Sequence, residues 1–431
     1  MNKNKWKKFW ENTKDKLQYL RMDEDDDLDD PLEVEERSLS FGGASRIDLP
    51  EGNLREKLEK NRRRKFIVRG MILLLAVLVI GGFTLYNKLY TFTDYTIIES
   101  IENHVSSGTR YESVGKNIYR YNSDGVSCVS RDNEVKWSIT YNMQGPIVDV
   151  CGSTMVIAEQ QGTQVYVVNE DGLVGNFETY QPIMKVRVSQ QGVVAAVLEE
   201  SSAVTWVNLY KADGTVLADA RTTVEESGYP LDVDISPNGN KVAVSYLGIQ
   251  QGIMTSYITF YDFGEDENAQ SNYITNSEAM AEVVVPEIYF TDNSTAVAVS
   301  DDGFSVFRGN SLSLKEQVHF DEEIAGTFHD DERIGFLFSS SDQEYKYRLE
   351  MYNYRGKRKA SRGINADFDK IKIQNDQILM YSDRACYIFT LSGRNRFSSA
   401  YENEIEDIFY FSEFRKYLVI TDDSFDRIRI S

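Results

Sequence analysis

An all-β fold, an eight-bladed β-propeller behind one membrane-spanning helix, is predicted by three observations in this 431-residue chain. The first is a period. Turns at Asn133, Gly172, Gly214, Gly264, Gly309, Gly356 and Gly393 recur about every 37 to 50 residues, most of them after an alternating apolar run such as "QVYVVNEDG", "WVNLYKADG" or "CYIFTLSG". A second series of turns, near Gly125, Gly162, Ser201, Gly252, Asp302, Ser341, Asp383 and Asp423, is offset before the first, so four short strands fit each period, as in a propeller blade. The second observation is a shortfall: the unit that starts at Ile405 has room for "EDIFYF", "YLVITDD" and "DRIRIS" but lacks an outer strand. The third is the apolar run "FIVRGMILLLAVLVIGGFTLY" from Phe66 to Tyr86.

Taken from the N-terminus, residues 1–65 read as a cytoplasmic tail in three pieces. Residues 2–21 place Trp6, Trp10, Thr13, Leu17 and Leu20 at helical spacing among lysines, an amphipathic basic helix suited to the inner leaflet surface or to a partner protein. Residues 23–52 open on "DEDDDLDD", a like-charge block that repels itself and reads as a solvated acidic linker. Residues 53–65 are helix formers, started by Asn53 with Glu56 three positions on in the pattern of a capping box.

The run 66–86 is long enough to cross a hydrocarbon core about 30 Å thick. Arg62, Arg63, Arg64, Lys65 and Arg69 precede or enter it, whereas only Lys88 follows before Arg110, and the flank richer in Lys and Arg stays cytoplasmic. With about 65 residues ahead of it and no small-x-small exit, it reads as an uncleaved signal anchor. The expected topology is a single-pass cell-membrane protein with its N-terminus in the cytoplasm and residues 92–431 extracytoplasmic.

Charge divides at the same place. Residues 1–86 hold 17 Lys and Arg against 16 Asp and Glu, which leaves 30 against 52 in the remainder. An outer domain so acidic excludes phosphate polymers as partners, so no nucleic-acid binding is expected. Cys128, Cys151 and Cys386 form no CxxC pair and read as buried free thiols, with one disulfide as the alternative. His104, His319 and His329 share no zinc-like spacing, and no metal site is read from them.

The strand-rich part divides into units at 109–141, 146–179, 183–223, 229–280, 283–323, 324–364, 366–404 and from 405 onward. The strand missing from the last is most simply "YTIIESI", Tyr95 to Ile101, which closes the ring and removes an exposed edge. Seven blades are the alternative count. Paired β-sandwiches would show the short strands without the sustained period.

"DVDISPNGNKVAVSY", Asp232 to Tyr246, resembles the first hairpin of WD40-like and TolB-like blades, with Asn238 in the place of the usual Asp. "DGVSCVSRDNEVKWSI", Asp124 to Ile139, is similar to a blade of quinoprotein-like propellers, but Trp137 and Trp206 are the only tryptophans after the anchor, which argues against a quinone cofactor. With "GPIVDV", "YPLDVDISPNG" and "SYITFYDF" behind an anchor, residues 66–431 resemble an uncharacterised family of single-pass, membrane-anchored propeller-like proteins of Gram-positive bacteria. That resemblance implies the fold and supplies no catalytic residue.

No nucleophile elbow, P-loop or HExxH motif is present. The acidic stretches "GEDEN" (Gly264 to Asn268), "HDDER" (His329 to Arg333) and "TDDSFD" (Thr421 to Asp426) lack the spacing of a calcium loop and read as solvated turns. No catalytic, cofactor-binding or metal residue is therefore assigned, and the balance is against an enzyme. The expected function is a non-catalytic protein-interaction or assembly module in the cell envelope with an unidentified protein partner; the alternatives are an extracytoplasmic ligand sensor and a glycan or peptide hydrolase. A docking module should show an exposed aromatic patch, an enzyme converging carboxylates in the channel, and a sensor a closed ligand-sized pocket.

Overall fold

The computed structural model describes residues 52–103, 106, 108–250, 252–264, 273–341, 344–411 and 415–431. The basic helix expected at 2–21, the linker at 23–52 up to its last residue, His104, and most of "GEDEN" lie outside them. Two units are described separately, 1–81 and 82–431.

The expected juxtamembrane and membrane-spanning segments are one continuous helix, α1, Gly52–Leu89. Within it Arg62–Gly82, 21 residues of mean hydropathy 2.1, is long and apolar enough to cross a membrane.

The remainder is a ring of eight four-stranded antiparallel sheets, so eight blades are present and not seven. In chain order they span residues 110–140, 146–178, 183–223, 229–281, 287–319, 324–364, 370–400 and 405–430, numbered here as blades 1 to 8. Blades 1 to 7 are simple up-and-down meanders. The turn series that betrays them has a stereochemical basis: Asn133, Gly172, Gly214, Gly309, Gly356 and Gly393 all have left-handed φ, with Gly264 the exception. At Gly214 (φ +85°) a Cβ would also come within 2.6 Å of the Phe177 side chain. In the "SPNG" turn the left-handed residue is Gly239 (φ +77°), not Asn238. Asn238 instead uses Oδ1 to accept from Ser236 Oγ (2.8 Å) and the Asn240 N–H (3.3 Å).

Blade 8 is the seam. Its three C-terminal strands, Ile405–Tyr410, Lys416–Thr421 and Ser424–Ile430, are completed by Tyr95–Glu102, paired antiparallel from Tyr95↔Ile430 to Glu102↔Ser424. Asp426 binds the pieces together, accepting from Ser100 Oγ (2.5 Å) and from Tyr401 OH (2.6 Å), while Tyr95 stacks on Tyr401 at 5.0 Å.

Each sheet has a neighbour on both faces, so the middle strands read as unbroken apolar runs, "TMVIA" in blade 2 and "VAAVL" in blade 3, instead of alternating. The core is therefore eight separate clusters, one at each blade junction. The junction of blades 2 and 3 is made of small aliphatics such as Val156, Ala158, Val165 and Ala196; that of blades 5 and 6 of Phe304, Phe336, Phe338 and Tyr352. Junction 8–1 has its own cluster, Tyr111, Ile118 and Val129 against Phe409, Leu418, Ile420 and Phe425, so the ring closes with a packed core and not by a strand alone.

Candidate functional site

The innermost strand of each blade turns alternate side chains into the central channel, where no second sheet covers them. On one wall these are Asp149 from Pro146–Cys151, Lys185 and Arg187 from Ile183–Val188, Asp232 and Asp234 from Tyr229–Ile235, Glu287 from Glu287–Asp292 and His329 from Ile324–His329.

Arg187 is the hub. Its Nη2 lies 3.1 Å from Asp232 Oδ1, and its Nε lies 3.8 Å from Asp149 and 3.9 Å from Asp234. Lys185 Nζ adds a 2.9 Å bond to the same Asp232 oxygen. The three aspartates also stitch blades: Asp149 Oδ2 accepts the Val188 N–H (2.8 Å), Asp232 Oδ2 the Ile288 N–H (3.1 Å), and Asp234 Oδ2 the Phe290 N–H (2.6 Å). Gln374 does the same between blades 7 and 8, accepting the Tyr410 N–H at 2.6 Å.

Carboxylates outnumber cations here, and the least well paired ones bear the cost. Asp232 holds two cations within 3.1 Å. Burial, and then the charge of Asp149, pushes the Asp234 carboxyl up to about 8; Arg187 and the Phe290 N–H act against this. Burial raises Asp149 as well. Arg187 itself is pulled down by burial, but the carboxylates led by Asp232 outweigh that and hold it above its ordinary value. Glu287 feels burial upward, yet its bond to His329 Nε2 (3.2 Å) and the charge of that ring leave it below the usual range. His329 lies flat on Tyr289, ring centres 3.6 Å apart. Across the channel, Lys372 Nζ (2.6 Å) and Tyr381 OH (2.5 Å) both donate to Asp407, and burial, then Asp407, pushes Glu112 up to about 7.

Two cavities flank Arg187. One, of about 540 Å³, lies at the C-terminal ends of the inner strands and is lined by Asp149, Cys151, Gln190, Asp234, Glu287, His329 and Asp331. The other, of about 380 Å³, lies at their N-terminal ends, by Arg110, Glu112, Met184 and Lys185. Cys151 is no nucleophile there, because burial and then Asp149 raise its thiol to about 11. The Asp234 carboxyl, pushed up to about 8, beside a guanidinium and a His–Glu pair, offers both donor and acceptor to a small hydroxyl- or amine-bearing ligand.

The sequence assigned no residue of this network. His319 lies elsewhere, bonded to exposed Asp302 at 2.8 Å. "HDDER" divides in use: Asp330 caps its own turn by accepting the Glu332 and Arg333 N–H groups, while His329 and Asp331 face the cavity. "TDDSFD" carries the seam residue Asp426. The three cysteines are unpaired, with Cys128 and Cys386 buried. Among the described residues, no three His, Cys, Asp or Glu are grouped to hold a metal ion.

The outer rim differs. Exposed aliphatic residues recur near the start of the outermost strand in three successive blades: Val135, then Leu173 and Val174, then Val216 and Leu217. In blade 4 a hairpin with ten-residue arms, Lys241–Gln250 and Ile253–Asp262, exposes Ile249, Ile253 and Met254 near its tip. The surface is chiefly aliphatic, not the aromatic patch expected of a docking module, although Tyr180 and Tyr229 are exposed.

The ring of eight four-stranded sheets, with its blade-to-blade stitching and charged channel, is an eight-bladed β-propeller. Residues 88–430 match the Family of unknown function (DUF5711), and the chain belongs to that family. No curated protein matches it in sequence. Among solved structures the chain is similar to Saccharomyces cerevisiae Sqt1 (11% identity, TM-score 0.52, 79% of this chain and 99% of that one). It is also similar to BamB from Moraxella catarrhalis (11%, 0.47, 78% and 100%) and to the Neurospora crassa Pan2 WD40 domain (5%, 0.42, 79% and 97%). At such identities the likeness is one of fold.

Proposed function

We propose that the protein is a membrane-tethered propeller that docks a partner protein on its outer rim, with residues 1–65 in the cytoplasm, a span within 66–86 and the ring outside the cell. The observation that carries the docking is the exposed aliphatic band on blades 1 to 3, at the same place in each outermost strand. The apolar helix and the basic residues ahead of it support the tether and its direction. The acidic ring suits a partner with a cationic rim around an apolar centre.

A photo-crosslinker placed at Leu173 or Leu217 in intact membranes should give one discrete adduct, shared by both positions and missing from a control at Ala400 on blade 7. Adducts of the same pattern at all three positions would sink the docking surface. The direction is tested separately: protease added to intact protoplasts should digest the ring and spare an epitope at residues 1–20.

A second reading, a ligand-binding channel, is favoured by the 540 Å³ cavity and its carboxyl Asp234, pushed up to about 8 by burial and then by Asp149. Small-molecule binding abolished by Asp234→Asn, with the crosslinks unchanged, would favour it over docking.

A further inference from the structure

The outer rim changes chemistry on the side of the ring away from the aliphatic band. Blade 6, which stands across the eight-membered ring from blade 2, ends in the turn and strand "YRGKRKASRGI", Tyr354 to Ile364. Arg355, Lys357, Arg358, Lys359 and Arg362 are all exposed there, and no Asp or Glu occurs from Met351 to Ala366. Cations on an exposed edge keep like strands from pairing with it, but the other blades manage with fewer: no other outermost strand holds more than one Lys or Arg. So basic a run is out of proportion in a region with 30 Lys and Arg against 52 Asp and Glu.

Little of this charge is answered within the ring. Arg358 bonds Glu350 at 2.9 Å and keeps 57% of its side chain exposed. Among the described residues, Arg355, Lys357, Lys359 and Arg362 bond no carboxylate. Glu316 of blade 5 reaches the Gly356 turn, a single acid beside the whole run. The backbone is unanswered too, since Arg358–Ile364 pairs with Tyr347–Asn353 on one side and with no strand on the other. Its cations project on both faces: Arg362 lies against the Gly393 turn of blade 7, whereas Arg358 is opposite Tyr352, which packs on blade 5.

We infer that this strand captures an extended acidic segment of a partner protein, which adds to blade 6 as a further strand. Successive side chains of an added strand turn to opposite faces, so its carboxylates can meet the cations on both. A phosphate polymer or a lipid headgroup would satisfy the charge and leave the strand edge unpaired; a polypeptide satisfies both. The surface is separate from the band on blades 1 to 3 and requires neither that band nor the membrane span.

The full chain in neutral detergent micelles is titrated into a fluorescein-labelled peptide of Glu-Glu-Val repeats, with binding read as anisotropy. The R355Q/K357Q/K359Q/R362Q variant, which keeps Arg358 on Glu350, should bind about tenfold more weakly, the sum of a few exposed ion pairs. A peptide of Glu-Glu-Pro repeats has the same charge but lacks strand donors on both edges, and the native protein should bind it about fivefold more weakly. In the native protein, amide hydrogen exchange should slow across Arg358–Ile364 when the Glu-Glu-Val peptide is added and stay unchanged across Val135–Thr140, which decides the matter even if the variant unfolds. Equal binding of the proline peptide would mean attraction to any polyanion and overturn the added strand. Unchanged binding by a folded variant, or unchanged exchange in Arg358–Ile364, would overturn the site. Binding of inorganic polyphosphate without binding of the Glu-Glu-Val peptide would make the run a phosphate surface and overturn the inference as well.

Discussion

The inner and outer rims of the ring are built from the same antiparallel strands and obey opposite rules. At the inner rim, side chains from several blades converge, so charges answer to their neighbours: Arg187 contacts Asp149, Asp232 and Asp234 from two other blades. At the outer rim neighbouring blades touch through single bonds such as Trp137 to the Glu170 carbonyl, and Leu173 and Leu217 are exposed. Inner positions are thus coupled and energetically expensive, and outer ones independent and cheap. Blade 8 alone breaks the rule, because its outermost strand is supplied from elsewhere in the chain.

The sharpest break of this comparison is at that exception. Deleting Tyr95–Glu102 removes an outer strand, yet it should act like a core lesion, costing about 5 kcal/mol or more, because it uncovers the last strand and strips Asp426 of Ser100. Urea unfolding of the deletion beside the parent would measure it; equal midpoints would show that the ring closes without the strand.

Next in size is the inner hub. Arg187→Met should cost about 3 to 5 kcal/mol at pH 8 by leaving buried carboxylates uncompensated. The penalty should shrink at pH 5, where Asp234, raised to about 8, holds its proton. An equal penalty at both pH values would mean that the lost contacts are packing and not charge.

A pH profile sharpens the inner rim further. Asp234 and Glu112 have folded-state values raised to about 8 and about 7, and Asp149 is raised too, so the folded state binds more protons than the unfolded one above their ordinary carboxylate values. Stability from these groups is therefore present at low pH and lost as pH rises through about 8. Asp234→Asn should flatten that decline between pH 5 and 8, read as melting temperature against pH. An unchanged slope would show that Asp234 is not titrating there.

The smallest effect belongs to the outer rim. Leu173→Ser and Leu217→Ser should change stability by less than about 0.5 kcal/mol while abolishing the partner crosslink. A large loss of stability would show that these residues are structural after all.

The unequal legibility of the sequence follows from the same contrast. Blade number was legible because most turns of the first series need a left-handed residue, and Asn133, Gly214 or Gly393 marks its place locally; the seam was legible because the unit from Ile405 has room for only three strands. The channel was not, because its members are one or more periods apart: Asp149 and Val188 are 39 positions apart, Arg187 and Asp232 45, Asp232 and Ile288 56. Each alone looks like a polar residue in a strand. The available signal was phase: "IVDV", "MKVRV" and "LDVDI" place charge at the same point of consecutive repeats, which shows only when units are laid over one another. The exposed outer aliphatics were invisible for another reason, since an alternating strand does not reveal whether its apolar face is covered.

The seam also sets an order of manufacture. Ser100 must wait for Asp426, 326 positions later, and Ser424–Ile430 is the last strand of the ring to leave the ribosome. Until then the cluster that joins blade 1 to blade 8 lacks Phe425, and Tyr95–Glu102 has no strand to pair with, so the ring stays open. A truncated message or a stalled ribosome would thus yield a sticky open ring with an unfinished blade 8 and not a smaller stable ring, which makes the last strand a test of completeness for the whole ring.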